Sequence, residues 1–135
     1  MIKDVFMIHQ NRWILLKHVE VPDDLGGMHF DLLIEDEQNC RTWRLNDIPV
    51  LDGVSVNASL LPAHRLQWLE VKNSCQVSGG RGWVYRVDGG IFCGSLPKST
   101  SSNVFVRLIG SGIIAYLEIN GTVCRFISRE DKRFV

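Results

Sequence analysis

No stretch of this sequence keeps a helical hydrophobic period for even about 11 residues, and that constrains the fold more than any single motif. Short apolar runs separated by turn formers recur instead. Residues 5–9 and 12–18 flank Gln10-Asn11, the pattern of a tight hairpin. Residues 28–35 and 40–45 flank Asp36-Glu37-Gln38-Asn39, four polar turn formers. Residues 82–88 alternate and then meet Asp88-Gly89-Gly90, which reads as a further turn. Residues 103–109, 112–119 and 122–128 read as a C-terminal meander. Its joints are Gly110-Ser111-Gly112 and Asn120-Gly121, and Asn-Gly is the strongest short hairpin signal. Residues 66–72 are a mixed apolar run, and at most a single helical turn is expected over 59–64. Longer loops are expected over 19–27, 46–58 and 96–102, the last a mobile surface loop. The predicted fold is all-β: a small closed or nearly closed antiparallel β-barrel of short strands.

Length and composition agree with one such domain. The chain has 135 residues, 45% hydrophobic and 22% charged, and no linker or repeat divides it. Lys plus Arg and Asp plus Glu are 15 each, so nucleic acid would have to meet a local basic patch rather than a global field. No apolar run reaches the roughly 18 residues of a membrane span. Asp4 interrupts the place where a signal peptide would turn apolar. Cys40, Cys75, Cys93 and Cys124 form no CxxC pair. They are expected to be reduced, mostly buried thiols in a cytoplasmic protein rather than a zinc site.

Chemistry concentrates in His29-Phe30-Asp31-Leu32-Leu33-Ile34-Glu35. Strand alternation puts His29 and Asp31 on one face and Phe30, Leu32 and Ile34 on the other. His18 ends the preceding predicted strand, so an antiparallel pairing would bring it beside His29. Two imidazoles and a carboxylate suit Mn²⁺, Fe²⁺ or Zn²⁺, and a plain hydrogen-bonded polar corner is the simpler alternative. If the next hairpin closes around Glu37-Gln38, Cys40 faces Glu35 and Arg44 faces Asp31. Arg44 could then grip a phosphate or simply pair with Asp31. Arg81, in Ser78-Gly79-Gly80-Arg81-Gly82, sits in a turn whose amides could converge on an anion. His64, four residues before Trp68, could act as a general acid or cap a turn.

Taken in order, these motifs resemble the 3′-phosphoesterase domain of bacterial DNA ligase D and its stand-alone relatives. That family has a strand like HYDLRLE, matched by residues 29–35. It has a His shortly before an aromatic, matched by Ala63-His64-Arg65-Leu66-Gln67-Trp68. A glycine-rich turn then leads into a strand ending in an Asp-x-Gly turn, matched by residues 78–90. The resemblance spans roughly residues 12–128. It implies a small β-barrel that removes 3′-phosphates and 3′-terminal ribonucleotides from DNA ends with Mn²⁺. It implies His18, His29 and Asp31 as metal ligands and His64 at the scissile phosphate. Arg44, Arg81 and Trp68 are the candidates for holding that phosphate. Nucleic-acid 3′ ends would be the partner, alongside separate polymerase or ligase proteins, in DNA repair end-processing.

The chain departs from the family at four places. Leu33 stands where the family strand has Arg, Val56 near another expected Arg, Pro62 in place of an acid, and Trp68 in place of Tyr. Phosphoryl transfer relies on positive charge around the equatorial oxygens, so these changes matter. They motivate one alternative, a catalytically degenerate relative that binds DNA ends or a repair partner. A second alternative is a two-His-one-carboxylate iron oxygenase with His64 as the third ligand.

Overall fold

The computed structural model describes residues 11–19 and 27–129. Within them the chain forms nine strands: β1 (Arg12–Val19), β2 (Met28–Asp36), β3 (Asn39–Leu45), β4 (Val56–His64), β5 (Ser74–Gln76), β6 (Trp83–Cys93), β7 (Val104–Gly110), β8 (Ile114–Asn120) and β9 (Val123–Ile127). A short 3-10 helix, Leu66–Glu70, follows β4. The strands pair antiparallel in the order β1-β2-β3-β4-β9-β8-β7-β6, and β6 pairs again with β1. Eight strands therefore close into a barrel, which leaves the ring no open edge. The three residues of β5 add to β6 outside the ring.

Alternation decides which side chains fill the barrel. Trp13 and Leu15 from β1, Phe30, Leu32 and Ile34 from β2, and Trp43 and Leu45 from β3 point inward. They meet Val104, Val106, Leu108 and Leu117 from the C-terminal meander. The outer face of β1 to β3 is apolar as well. Ile14, Leu16, Leu33 and Cys40 form a second cluster beneath Leu66, Trp68, Leu69 and Val71. The 3-10 helix and the residue that follows it thus cover one wall of the barrel from outside. Arg86 of β6 fastens this cover, donating from Nη1 to the Val71 carbonyl (3.3 Å) and from its backbone N–H to Asn73 (2.8 Å).

Two sequence expectations are corrected. Asp88-Gly89-Gly90 is not a turn, because β6 runs straight through it. Gly90 lies directly opposite both Trp13 and Gly110. A Cβ on Gly90 would stand 2.0 Å from the Ile109 carbonyl oxygen, so the glycine permits backbone contact where β6 passes from β1 to β7. Residues 59–64, expected to hold at most a helical turn, belong to β4. Pro62 and Ala63 stand at a register shift, since Thr42 faces Leu61 and Cys40 faces His64. A bulge is where a strand tolerates proline. The remaining joints fall as expected: β2–β3 turns at Glu37-Gln38, and β7–β8–β9 form the meander. In the 96–102 loop the Ser99 carbonyl accepts a hydrogen bond from Arg41 Nη1 (3.4 Å). The strand expected over residues 5–9, with Gln10 of its Gln10-Asn11 hairpin, and most of the loop expected over 19–27 lie outside the described residues. No helix in the described residues is long and apolar enough to cross a membrane.

The four thiols divide cleanly. Cys40 and Cys124 are buried, while Cys75 and Cys93 are exposed. Burial pushes both buried thiols up to about 12, with the Glu35 carboxylate adding to the effect at Cys40. The thiolate is the reactive form, so these two should be inert. Maleimide titration of the native protein should label Cys75 and Cys93, and all four only after denaturation.

Candidate metal centre

β1 and β2 pair so that His18 lies directly opposite His29, and Leu16 directly opposite Asp31. The pairing anticipated from sequence therefore brings both imidazoles to one place. Their ring centroids are 4.9 Å apart with the planes near perpendicular. His29 Nε2 stands 3.3 Å from Asp31 Oδ2. One nitrogen or oxygen from each of His18, His29 and Asp31 falls within 4.8 Å of the other two. The group sits on the outer face of the barrel, at the His18 end of β1. His29 and Asp31 are buried and His18 is partly exposed, so the group is open on one side.

The donor set and the His29–Asp31 spacing fit a divalent first-row ion. Two ligand atoms about 2.1 Å from one metal stand about 3.0–3.4 Å apart in octahedral or tetrahedral geometry. The His29–Asp31 separation falls in that range. His18 Nε2 lies 2.7 Å from the Arg81 carbonyl oxygen, which can only accept. Nε2 therefore carries the proton in the neutral ring, and Nδ1 keeps its lone pair. Fixing a histidine's tautomer through a backbone carbonyl is the usual second shell of a metal ligand. With both rings neutral, Asp31 gives the group one negative charge, suited to a divalent cation.

Arg44 occupies the register position expected for it. Asp31 faces Arg44 and Glu35 faces Cys40 across β2 and β3. Arg44 Nε lies 3.5 Å from Asp31 Oδ1, and its side chain is 45% exposed. A pair this long and this wet holds the guanidinium weakly, so it can turn to an incoming anion.

The other singled-out residues sit elsewhere. The Arg81 side chain folds back on its own turn, donating from Nε to the Ser78 carbonyl (2.8 Å) and from Nη2 to Ser78 Oγ (3.2 Å). Its carbonyl, rather than its guanidinium, touches the site. His64 stands in the Glu35–Cys40 row, four residues along from the Asp31–Arg44 row. That is about 13 Å along the strand and two strands across. Its ring Nδ1 lies 3.0 Å from the Pro62 carbonyl. Trp68 is in the 3-10 helix, packed on the outer apolar cluster. Leu33, on the face of His29 and Asp31, has 0% exposure beneath that helix. Position 33 is thus sealed with apolar side chains.

Two features of the structure escaped the sequence reading. One is the Arg81 carbonyl, which no side-chain pattern announces. The other is Asp88, whose carboxylate accepts N–H bonds from Gly89, Ser111, Gly112 and Ile113 at 2.6–3.0 Å. An aspartate just before a pair of glycines reads as turn chemistry of its own, whereas this one anchors a different turn. In comparisons with known proteins, no family model matches the sequence, and no curated protein matches it.

Proposed function

We propose that this barrel is a metal-dependent phosphoesterase acting on nucleic-acid 3′ ends, with His18, His29 and Asp31 as the metal ligands. The observation that carries the reading is the convergence of those three side chains on one outward-opening point. A Mn²⁺ or similar ion held there supplies Lewis acidity toward a phosphoryl oxygen. Arg44, beside Asp31, offers a forked donor to the same phosphate. The Arg81 carbonyl orients His18. The ordered resemblance to the ligase D phosphoesterases supplies the substrate class. His18, and not His64, joins His29 and Asp31, which favours this reading over the iron oxygenase.

The test is release of inorganic phosphate from a 3′-phosphorylated primer in the presence of Mn²⁺. The wild type should release it, and EDTA or His29→Ala should stop it. Release unaffected by both would refute the assignment. His64→Ala is expected to lose less than His29→Ala, because His64 stands several residues along the strands.

A second reading is favoured by the burial of Leu33: a relative that binds 3′ ends without turning them over. Salt-dependent binding of the same primer with no release would identify it.

A further inference from the structure

A cavity of about 310 Å³ opens beside the 3-10 helix, lined by Arg65, Gln67, Trp68, Val71 and Cys75. Strand register fixes its position relative to the metal centre. Cys75 lies opposite Val84, Val84 opposite His18, and His18 opposite His29. Directly opposed residues share a face, so one row leads from the cavity wall to the metal ligands. Cys75 and His18 are two strand spacings apart, about 10 Å. On its other side, Trp68 and Val71 pack on the outer apolar cluster to which Leu16, the residue facing Asp31, belongs.

The lining has a definite chemistry. Trp68 supplies an indole for stacking, and Val71 a further apolar wall. Gln67 supplies an amide that both donates and accepts, and Arg65 a planar cation. This combination suits a flat heteroaromatic ring with a polar edge, the way proteins hold unpaired bases. The volume is at the lower end of small-molecule sites, about 300–1,000 Å³, which is room for a single base. The cavity is also preformed, because Arg86 holds Val71 and Asn73 against β6. Gly89 makes that clamp possible, as a Cβ there would stand 2.8 Å from Arg86 Nη2.

We propose that this cavity is a nucleobase subsite. It takes the base of the terminal nucleotide whose 3′-phosphate lies at His18, His29 and Asp31. Trp68 stacks on that base instead of holding the phosphate. The placement of the phosphate rests on the phosphoesterase reading, whereas the base preference rests on the cavity.

The experiment is equilibrium binding of labelled single-stranded oligonucleotides in Mn²⁺. They end either in an ordinary nucleotide 3′-phosphorothioate or in the same group on an abasic sugar, with matching 3′-hydroxyl controls. One stacked base contributes about 5- to 150-fold in affinity. The wild type should therefore bind the abasic end at least about fivefold more weakly. Trp68→Ala and the cavity-filling Cys75→Phe should bind both ends alike, and Trp68→Phe should keep most of the preference. Equal wild-type affinity for both ends, or a preference that survives Trp68→Ala and Cys75→Phe, would overturn the subsite. A base preference upholds the subsite whichever group ends the strand, whereas equal affinity for phosphorothioate and hydroxyl ends in Mn²⁺ counts only against the phosphate reading.

Discussion

Asp88→Ala should lower the unfolding free energy by about 3–5 kcal/mol. Asp88 is only 6% exposed and accepts four backbone N–H groups, from Gly89, Ser111, Gly112 and Ile113. It therefore ties β6 to the β7–β8 turn where the ring passes from one half of the barrel to the other. Truncation removes a charged acceptor and strands donors with no side chain to replace it. Water can reach Ser111 and Gly112, which are exposed, and this keeps the loss below the sum of four bonds. Burial alone would raise the Asp88 carboxyl, but the four N–H donors outweigh it and hold it below the ordinary carboxylate value. The unfolded chain thus binds that proton more readily than the native one. The contribution of Asp88 is complete above about pH 4 and fades as the pH falls through the lower native value. Urea unfolding at pH 7 should show the loss, and a series from pH 5 to pH 2 should show a shallower acid limb in Asp88→Asn.

The second large effect falls on function and leaves the fold alone. Asp31→Asn keeps the side chain's shape but removes the one negative charge of the metal group. Affinity for Mn²⁺ should fall at least about 100-fold, since even outer-shell changes cost 10- to 100-fold. Phosphate release at limiting Mn²⁺ should fall with it. Thermal stability without metal should change little, because the Asp31 carboxylate is held by a pair to the exposed Arg44 and by His29. A variant that lost stability and metal affinity together would mark Asp31 as a structural residue.

Much of this architecture was legible because it is local. Period-2 alternation over residues 28–35 put His29 and Asp31 on one face, and the polar tetrapeptide 36–39 set the register that pairs Asp31 with Arg44. The Asn120-Gly121 signal likewise marked the β8–β9 joint, where Gly121 has φ +61°. What was not legible depends on partners distant in sequence. Asp88-Gly89-Gly90 has the composition of a turn, yet the approach of Ile109 and Gly110 makes it the interior of a strand. Pro62 disguised β4, because its bulge exists only against β3. The burial of Leu33 needed the 3-10 helix folded over it, which alternation within β2 does not report. The same holds for the Arg81 carbonyl, which reaches His18 only because β6 closes the ring against β1.

The central claim is that His18, His29 and Asp31 form one divalent-metal site. Titration of the protein with Mn²⁺, following the electron paramagnetic resonance signal of the free ion, measures it directly. The wild type should take up one equivalent per chain, and His29→Ala should abolish that uptake while keeping the native circular-dichroism spectrum. No uptake by the wild type, or an equivalent still bound by a folded His29→Ala protein, would contradict the claim.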